Sequence, residues 1–338
     1  MTMNSTVCVI IAAKNASATV ARAVRSALAE AETHEVVVVD DGSVDGTGAE
    51  ALSADDNSGR LKIIRFDHNR GPAAARNCAI EASTAPLLAI LDADDFFLPG
   101  RFTQMMAEDQ WDFIADNIVF VKEECVSQVN TGVKRFRRQA RLLVLEDFIA
   151  GNISQRGAQR GEIGFLKPVM RRDFLDRHGL RYNEKLRLGE DYDLYARALV
   201  AGARYKIIHS CGYGAVVRHD SLSGKHRTED LKRLYEADRS ILANPNLTQE
   251  QRSLLTQHEK HIRDRYELRH FLDLKNNQGA FSAIAYAARH PMAIPAIIGG
   301  IAADKRDALM GKSQRPQSSQ SSGTLRYLLP VIADADQR

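Results

Sequence analysis

Residues 88–102 read LAILDADDFFLPGRF, an apolar run that stops at three carboxylates within four positions, Asp92, Asp94 and Asp95. The apolar run predicts a buried strand over 86–91, and the acidic residues follow at its carboxyl end. Carboxylates crowded at a strand end are costly unless a cation or a network of hydrogen-bond donors satisfies them. A hard divalent cation, Mg²⁺ or Mn²⁺, suits this set of oxygen ligands. Taken alone, the motif is equally typical of carboxylates in a turn or a helix cap.

Three further strands are predicted before this one, at 7–12, 35–39 and 61–66. The first two contain the apolar runs VCVIIA and VVVV, which are continuous rather than alternating, as is typical of parallel strands buried on both faces. Helical patterns follow the first and third of these strands, at 16–31 and at residues 72–82. This alternation predicts an α/β protein with a doubly wound sheet, which binds its ligands at the carboxyl ends of the strands.

Polar or small residues follow all four predicted strands, at 12–15, 40–43, 69–71 and 92–95. In a parallel sheet these ends lie side by side, so together they predict a single ligand-binding crevice. Within that crevice, Asp41 can accept a hydrogen bond from the imide of a nucleotide base. Arg76 lies on the helix that follows Gly71 and Pro72, from which it can reach a base or a phosphate.

The chain resembles the inverting family 2 glycosyltransferases of the GT-A fold in four segments with the same order and spacing. These segments are VCVIIAAKN (7–15), VVVVDDGSVDGT (36–47), NRGPAAARN (69–77) and LAILDADDFFLPGRF (88–102). Further motifs extend the resemblance to about residue 224. It implies a mixed sheet with a Rossmann-like half for the nucleotide-sugar and a second half for the acceptor. No GxGxxG follows the first strand, which removes the main support for a dinucleotide site.

The resemblance also implies roles for the residues of the first half. The pocket for the nucleotide base would be lined by Ala12, Ala13, Asn15 and Asp41, with Arg76 nearby. Asp92 would face the ribose or the donor sugar, and Asp94 would ligate the divalent cation. Lys14 stands near the position where the family often has an aromatic residue that covers the base, so this stacking contact is missing here.

The acceptor half carries the segment LGEDYDL (188–194), which opens a predicted helix over 190–201. Acidic residues in a first helical turn stabilise the helix dipole, and this explanation suffices for Glu190. Asp191 resembles the general base of the family, which deprotonates the acceptor hydroxyl, so both residues are placed on the acceptor side. His219 resembles a histidine that completes the metal or diphosphate site, although a lone histidine is as often structural.

Two other classes of protein remain open from the residues alone. A nucleotidyltransferase uses a similar sheet and metal carboxylates, but it needs a Gly-rich, basic loop after the first strand, and residues 12–15 (AAKN) match that poorly. A non-catalytic nucleotide-sugar binding module would need neither Asp191 nor His219, yet both motifs occur in the expected order.

Composition sets the wider limits. The 338 residues carry 46 Lys and Arg against 43 Asp and Glu, a net charge of +3, which is too balanced for a dedicated nucleic-acid binder. Four cysteines lie far apart without a CxxC pair, as expected in a reducing compartment. We expect a glycosyltransferase domain over 1–227, a helical region over 228–310 and a largely disordered linker and tail over 311–338.

Within the family, the runs AAKNASATVARAVRSALAE (12–30) and LAILDADDFFLPGRF are similar to the rhizobial succinoglycan (exopolysaccharide) glucosyltransferases. This resemblance implies UDP-glucose as donor and an oligosaccharide on a polyprenyl diphosphate as acceptor. We therefore expect a cytoplasmic enzyme, peripheral at the inner face of the cytoplasmic membrane. Residues 134–141, the helices after 228 and the apolar stretch 281–303 are the candidate contact surfaces. Alternatively, the last helices pack on the glycosyltransferase domain or on a second subunit; we favour this for 228–275, and both alternatives stay open for 281–303.

Overall fold

The structure is a computed structural model, and it describes residues 6–129, 133, 139–153, 162–217, 227–309 and 325–330. Ten strands of the described residues form one sheet. They are β1 (Val7–Ala13), β2 (Thr33–Asp40), β3 (Leu61–Arg65), β4 (Leu87–Ile90), β5 (Phe96–Phe97), β6 (Phe113–Lys122), β7 (Ala140–Leu143), β8 (Val169–Arg171), β9 (Tyr205–Val217) and β10 (Arg326–Tyr327). The order along the sheet is β3-β2-β1-β4-β8-β6-β9-β5, with β10 beside β6 and β7 beside β9.

The first half of the sheet is parallel, as the continuous apolar runs predict. Ile10 in β1 lies between Val37 of β2 and Ile90 of β4, and all three side chains are buried. Helices cover this half; they are α1 (Val20–Leu28), α2 (Thr47–Leu52) and α3 (Pro72–Glu81). The doubly wound arrangement is confirmed, and the carboxyl ends of β1, β2 and β4 meet at one edge.

The second half of the sheet is mixed. Strand β8 runs antiparallel to both β4 and β6, while β9 runs parallel to β6. Strand β5, directly after the acidic motif, pairs antiparallel with β9 at Tyr213 and Gly214. The acidic turn 92–95 is therefore held between a strand of the first half and a strand of the second. Helices of this half are α4 (Arg101–Met106), α5 (Leu145–Ala150), α6 (Arg172–Arg177) and α7 (Glu190–Val200).

The described residues divide into two compact units, the sheet with its helices and a helical unit over 227–309. The helical unit contains α8 (Thr228–Leu242), α9 (Gln249–Gln278), α10 (Ala280–Arg289) and α11 (Ile294–Leu309). The residues TQEQ (248–251) have the spacing that predicts a capping box, and helix α9 begins with one: the Thr248 hydroxyl accepts from the Gln251 backbone N–H at 3.1 Å. Within the described residues, no helix has the length and apolar character needed to span a bilayer.

The end of the chain differs from the expected disorder. Arg326 and Tyr327 form β10, antiparallel to β6, and Leu328 is buried. The Asn117 side chain also accepts from the Leu329 backbone N–H at 2.8 Å. The edge of β6 offers unpaired backbone groups that attract a strand, and composition alone does not reveal such a partner. Residues 311–324 of the predicted linker lie outside the described residues.

Candidate active site

The ends of β1 and β2 are joined by hydrogen bonds that bring four predicted base-pocket residues together, Ala12, Ala13, Asn15 and Asp41. The backbone N–H of Asp41 donates to the carbonyl of Ala13 at 2.8 Å. The Asn15 side-chain oxygen accepts from the backbone N–H of Val44 at 3.0 Å. Asn15 adopts a left-handed conformation with φ of 48°, which asparagine tolerates better than most residues. These hydrogen bonds therefore fix the ends of β1 and β2 relative to each other.

The carboxylate of Asp41 is buried and fixes the loop that precedes α3. It accepts the backbone N–H of Arg70 at 2.6 Å and that of Gly71 at 2.9 Å. Gly71 has a φ of 96°, a conformation that glycine adopts without strain. The loop in turn sets the start of α3, where Pro72 occupies the first helical turn. Asp41 therefore positions the helix that carries Arg76.

Arg76 lies at the centre of a cluster of charged side chains and is 4% exposed. One guanidinium nitrogen, Nη1, donates to Glu190 at 2.8 Å and to Asp191 at 3.2 Å. The other, Nη2, donates to Asp92 at 2.9 Å. A single arginine thus joins the predicted donor-side carboxylate to both predicted acceptor-side carboxylates, from a helix that belongs to neither motif.

Lys167 makes a second bridge between the same two motifs. Its Nζ donates to the second carboxylate oxygen of Asp191 at 2.7 Å and lies 3.0 Å from that of Asp92. The sequence analysis missed this residue, because Lys167 belongs to none of the motifs. Its only signal is a charged residue inside the otherwise apolar segment FLKPVM (165–170). Arg76, Lys167, Asp92, Glu190 and Asp191 are called the charge cluster below.

The charges of the cluster determine its ionisation. Burial disfavours a charged Asp92, but the positive charges of Lys167 and Arg76 outweigh it and lower the pKa of Asp92 to about 2. Burial likewise opposes the ammonium of Lys167, and Asp191 and Asp92 raise its pKa above the usual value. Asp92, Lys167 and Arg76 are therefore charged at neutral pH.

The acidic motif divides into residues with different surroundings. Asp95 is buried; its carboxylate accepts from the Tyr213 hydroxyl at 2.8 Å and from the Val216 backbone N–H at 2.9 Å. Burial and the charges of Asp92 and Asp94 raise its pKa well above the ordinary value. Two of the three carboxylates are thus satisfied by donors within the chain, one of the two possibilities that the sequence left open. Asp94 is half-buried.

The backbone that carries Lys167 is held by a buried ion pair. Arg101, from the LPGRF end of the first motif, donates through Nη2 to Asp116 at 3.0 Å and to the carbonyl of Lys167 at 2.5 Å. Both charged side chains of this pair are almost fully buried. Arg101 therefore helps to hold the backbone of Lys167, and through it the charge cluster, in place. The sequence did not suggest this role.

Candidate metal ligands are few. Among the described residues, no three His, Cys, Asp or Glu side chains are arranged to hold a metal ion by themselves. His219, the second predicted ligand, lies outside the described residues. Asp94 follows β4 at the open edge of the sheet, next to Asp92, which is committed to Arg76 and Lys167.

Comparisons with known proteins identify the family of the chain. The family model of glycosyl transferase family 2 matches residues 8–158. The succinoglycan biosynthesis protein ExoU of Rhizobium meliloti (strain 1021) is 61% identical over 328 residues, which cover 97% of this chain and 96% of ExoU. The Escherichia coli protein WfaP, a UDP-Glc:alpha-D-GlcNAc-diphosphoundecaprenol beta-1,3-glucosyltransferase, is 32% identical over 101 residues, or 30% of this chain and 39% of WfaP.

A solved structure supports the fold. The crystal structure of S. aureus TarS 1-349 in complex with UDP-GlcNAc matches with a TM-score of 0.58 and 20% sequence identity, covering 86% of this chain and 79% of that chain. At this identity the similarity concerns the fold alone, and it confirms the GT-A type of sheet. The identity to ExoU extends over nearly the full length of both proteins. The chain therefore belongs to glycosyltransferase family 2 and is a glycosyltransferase of the GT-A fold.

Proposed function

We propose that the protein is an inverting glycosyltransferase of exopolysaccharide synthesis. It transfers glucose from UDP-glucose to a hydroxyl of an oligosaccharide that is linked to a polyprenyl diphosphate. The similarity to ExoU supports a succinoglycan-like product. WfaP, whose name specifies UDP-glucose and a diphosphoundecaprenol acceptor, matches about a third of this chain and supports the same donor and acceptor classes.

One observation carries the proposal: Asp92 and Asp191, a hundred positions apart in sequence, are bridged by both Arg76 and Lys167. Asp92 is the predicted contact of the donor sugar, and Asp191 is the predicted base for the acceptor. The two residues share two cations at one edge of the sheet. A donor held at Asp92 and an acceptor hydroxyl held at Asp191 would therefore lie close enough to react.

The reaction is a single displacement. The acceptor oxygen attacks the anomeric carbon of the donor as the bond from that carbon to the diphosphate oxygen breaks. The leaving electron pair stays on UDP, and the hydroxyl proton passes to the Asp191 carboxylate. Attack from the face opposite the leaving group inverts the anomeric configuration, so no covalent nucleophile is required.

Arg76 and Lys167 act by orientation and by charge. Together they fix both carboxylate oxygens of Asp191, one through Nη1 of Arg76 and the other through Nζ of Lys167. Each oxygen keeps a second lone pair, so the carboxylate can still accept a proton. The same two cations lie beside Asp92, where they offset negative charge that develops on the departing diphosphate. Glu190, through its contact with Arg76, belongs to the acceptor side of this arrangement.

The residues present fit a divalent cation, Mg²⁺ or Mn²⁺, provided that the donor diphosphate supplies part of the ligands. Magnesium is commonly held by one or two carboxylates together with substrate phosphates, and Asp94 is the predicted metal ligand of the acidic motif. Asp94 would hold the cation with oxygens of the donor diphosphate, and His219 stays a predicted second ligand. When bound, the cation would neutralise charge on the diphosphate.

The remaining assignments concern the nucleotide and the place of the reaction in the cell. Ala12, Ala13, Asn15 and Asp41 form the proposed base pocket, with Arg76 next to it. An acceptor on a polyprenyl diphosphate places the reaction at the inner face of the cytoplasmic membrane, where the enzyme would be a peripheral protein. No nucleic-acid partner is proposed.

The test is release of nucleoside diphosphate from a panel of nucleotide-sugars, with Mg²⁺, with Mn²⁺ and with EDTA. We expect slow, cation-dependent release of UDP from UDP-glucose, and little from the other donors. Binding of every donor without turnover, even with acceptor lipid, would favour a nucleotide-sugar binding module. Consumption of a nucleoside triphosphate with a sugar phosphate would favour a nucleotidyltransferase instead.

A further inference from the structure

The helical unit exposes large apolar side chains over a short stretch of the chain. Helices α10 and α11 and their connection carry five, called the apolar face below: Phe281 (86% exposed), Ile284 (63%), Met292 (89%), Ile298 (62%) and Leu309 (89%). Single exposed apolar residues are normal on protein surfaces, whereas a group of them marks an interaction surface. The question is what covers this group.

Helix α10 turns its apolar residues away from its packing partner. On the inner side, Ala283 is buried and the Tyr286 hydroxyl donates to Glu267 of α9 at 2.5 Å. The Tyr286 ring also lies 4.7 Å from that of His270. Phe281 and Ile284 are three positions apart and thus share the opposite side of the helix.

Helix α11 has the same arrangement. Ile297 is buried, and Gly300 lies so close to Leu268 of α9 that a Cβ atom there would overlap it. Ile298 and Leu309 are eleven positions apart, about three full turns, so they lie on one outward side. Both helices therefore bind α9 with one side and present apolar groups with the other.

Charge distinguishes this stretch from the helix beneath it. No Asp or Glu occurs between Asp273 and Asp304, whereas Lys275 and Arg289 do. Lys305 and Arg306 lie between Asp304 and Asp307, so the charges at that end cancel. Helix α9, in contrast, carries acidic and basic residues in similar number along its length. Four of the five residues of the apolar face thus lie in a segment, 274–303, whose only Asp, Glu, Lys or Arg residues are basic.

We propose that the apolar face docks on a membrane surface that contains anionic lipid headgroups. This inference deepens the proposed function, on which it rests, by assigning the contact that brings the enzyme to a lipid-linked acceptor. Apolar side chains flanked by Lys and Arg are typical of helices that lie in the membrane interface. A second copy of the chain is the competing occupant, and the experiment below distinguishes the two.

The experiment is flotation of the full chain with vesicles of phosphatidylglycerol mixed with phosphatidylcholine, and with vesicles of phosphatidylcholine alone. The wild type should float with the mixed vesicles, less so at high salt. The double variant Phe281→Ser/Met292→Ser should bind at least about tenfold more weakly, because two exposed apolar groups are lost from the interface. Leu52→Ser, which replaces an apolar residue of α2 that is 60% exposed, is the control and should bind as the wild type does.

Absence of flotation, or equal flotation of wild type and double variant, would overturn the proposal. So would a dimer, seen by sedimentation velocity, that the double variant converts to a monomer without any vesicle binding. UDP release from UDP-glucose in solution is measured in parallel for all variants. If release persists where flotation fails, the membrane inference falls and the proposed function stands; if flotation occurs without release from any donor, the proposed function falls.

Discussion

The charge cluster of the sheet unit and the apolar face of the helical unit reverse the usual distribution of residues. In the first, charged side chains such as Arg76 and Lys167 are buried; in the second, apolar side chains such as Phe281 and Met292 are exposed. Charges taken out of water are costly unless they are paired, and exposed apolar groups add nothing to folding. Each region is thus better explained by what it binds than by stability.

The charge cluster and the apolar face should respond differently to substitution. Within the charge cluster each side chain except Glu190 contacts two or more others, so removing one of them weakens the pairing of charges that stay buried. Within the apolar face the side chains project into solvent, so removing one should alter binding and leave the fold unchanged. The predictions below run from the largest expected effect to the smallest.

Asp191→Asn should have the largest effect. The asparagine keeps the shape of the side chain but cannot accept the hydroxyl proton, so kcat for transfer should fall about 10²–10⁴-fold. Binding of UDP-glucose, measured by calorimetry, should change little. Asp193→Asn is the matched control on the same helix; its carboxylate pairs with Arg197 and should not affect transfer. Transfer by Asp191→Asn at the wild-type rate would remove Asp191 from the role of base.

Lys167→Met should destabilise the protein by about 2–4 kcal/mol, because Asp92 and Asp191 then share only one cation, Arg76, instead of two. Denaturant unfolding measures this. Lys206→Met is the control, since Lys206 pairs with Glu108 away from the cluster, and it should cost less than about 1 kcal/mol. The double variant Lys167→Met/Asp191→Asn should recover part of the loss. If Lys167→Met costs no more than Lys206→Met, the cluster is not coupled as described.

Glu30 is a buried carboxylate that backbone N–H groups hold, whereas charged side chains hold the carboxylates of the charge cluster. It accepts from the N–H of Gly100 at 2.8 Å and that of Phe102 at 3.0 Å, and burial raises its pKa. The folded state therefore keeps this proton to higher pH than the unfolded chain does, so its contribution to stability falls as pH rises above about 4. Relative to Glu30→Gln, the wild type should lose stability between pH 4 and neutrality; a constant difference would contradict the assignment.

Phe281→Ser should have the smallest effect on the fold. Because the side chain is almost fully exposed, the free energy of unfolding should change by less than about 0.5 kcal/mol. Denaturant unfolding of wild type and variant is the measurement. A loss of 2 kcal/mol or more, the size of a buried-core substitution, would mean that the residue packs inside the protein and that the apolar face is smaller than described.

The sequence predicted most of the fold, because the features that decide it are local. The continuous apolar runs of β1, β2 and β4 and the capping box at Thr248 each lie within a few residues, and the structure confirms them. The predicted helix over 16–31 is shorter than expected, at Val20–Leu28, since residues 17–19 form a turn before it. Strand β10 depends on a partner two hundred residues away and could not be predicted from composition.

The candidate site was predictable only in part. Motifs indicated Asp92, Asp191 and Arg76, because resemblance transfers residues that stand in a recognisable string. Lys167 stands in no such string, and its importance comes from two contacts made across the sheet. In the same way, the sequence suggested a cation for the acidic motif, whereas the structure shows that Tyr213, Arg76 and Lys167 satisfy two of its carboxylates.

The anomeric configuration of the product tests the central claim most directly. With UDP-α-glucose as donor and a lipid-linked acceptor, nuclear magnetic resonance of the purified product distinguishes the two anomers. A single displacement assisted by Asp191 predicts a β-linked glucose. An α-linked glucose would contradict the account, because retention requires chemistry that the proposed roles of Asp191, Arg76 and Lys167 do not provide.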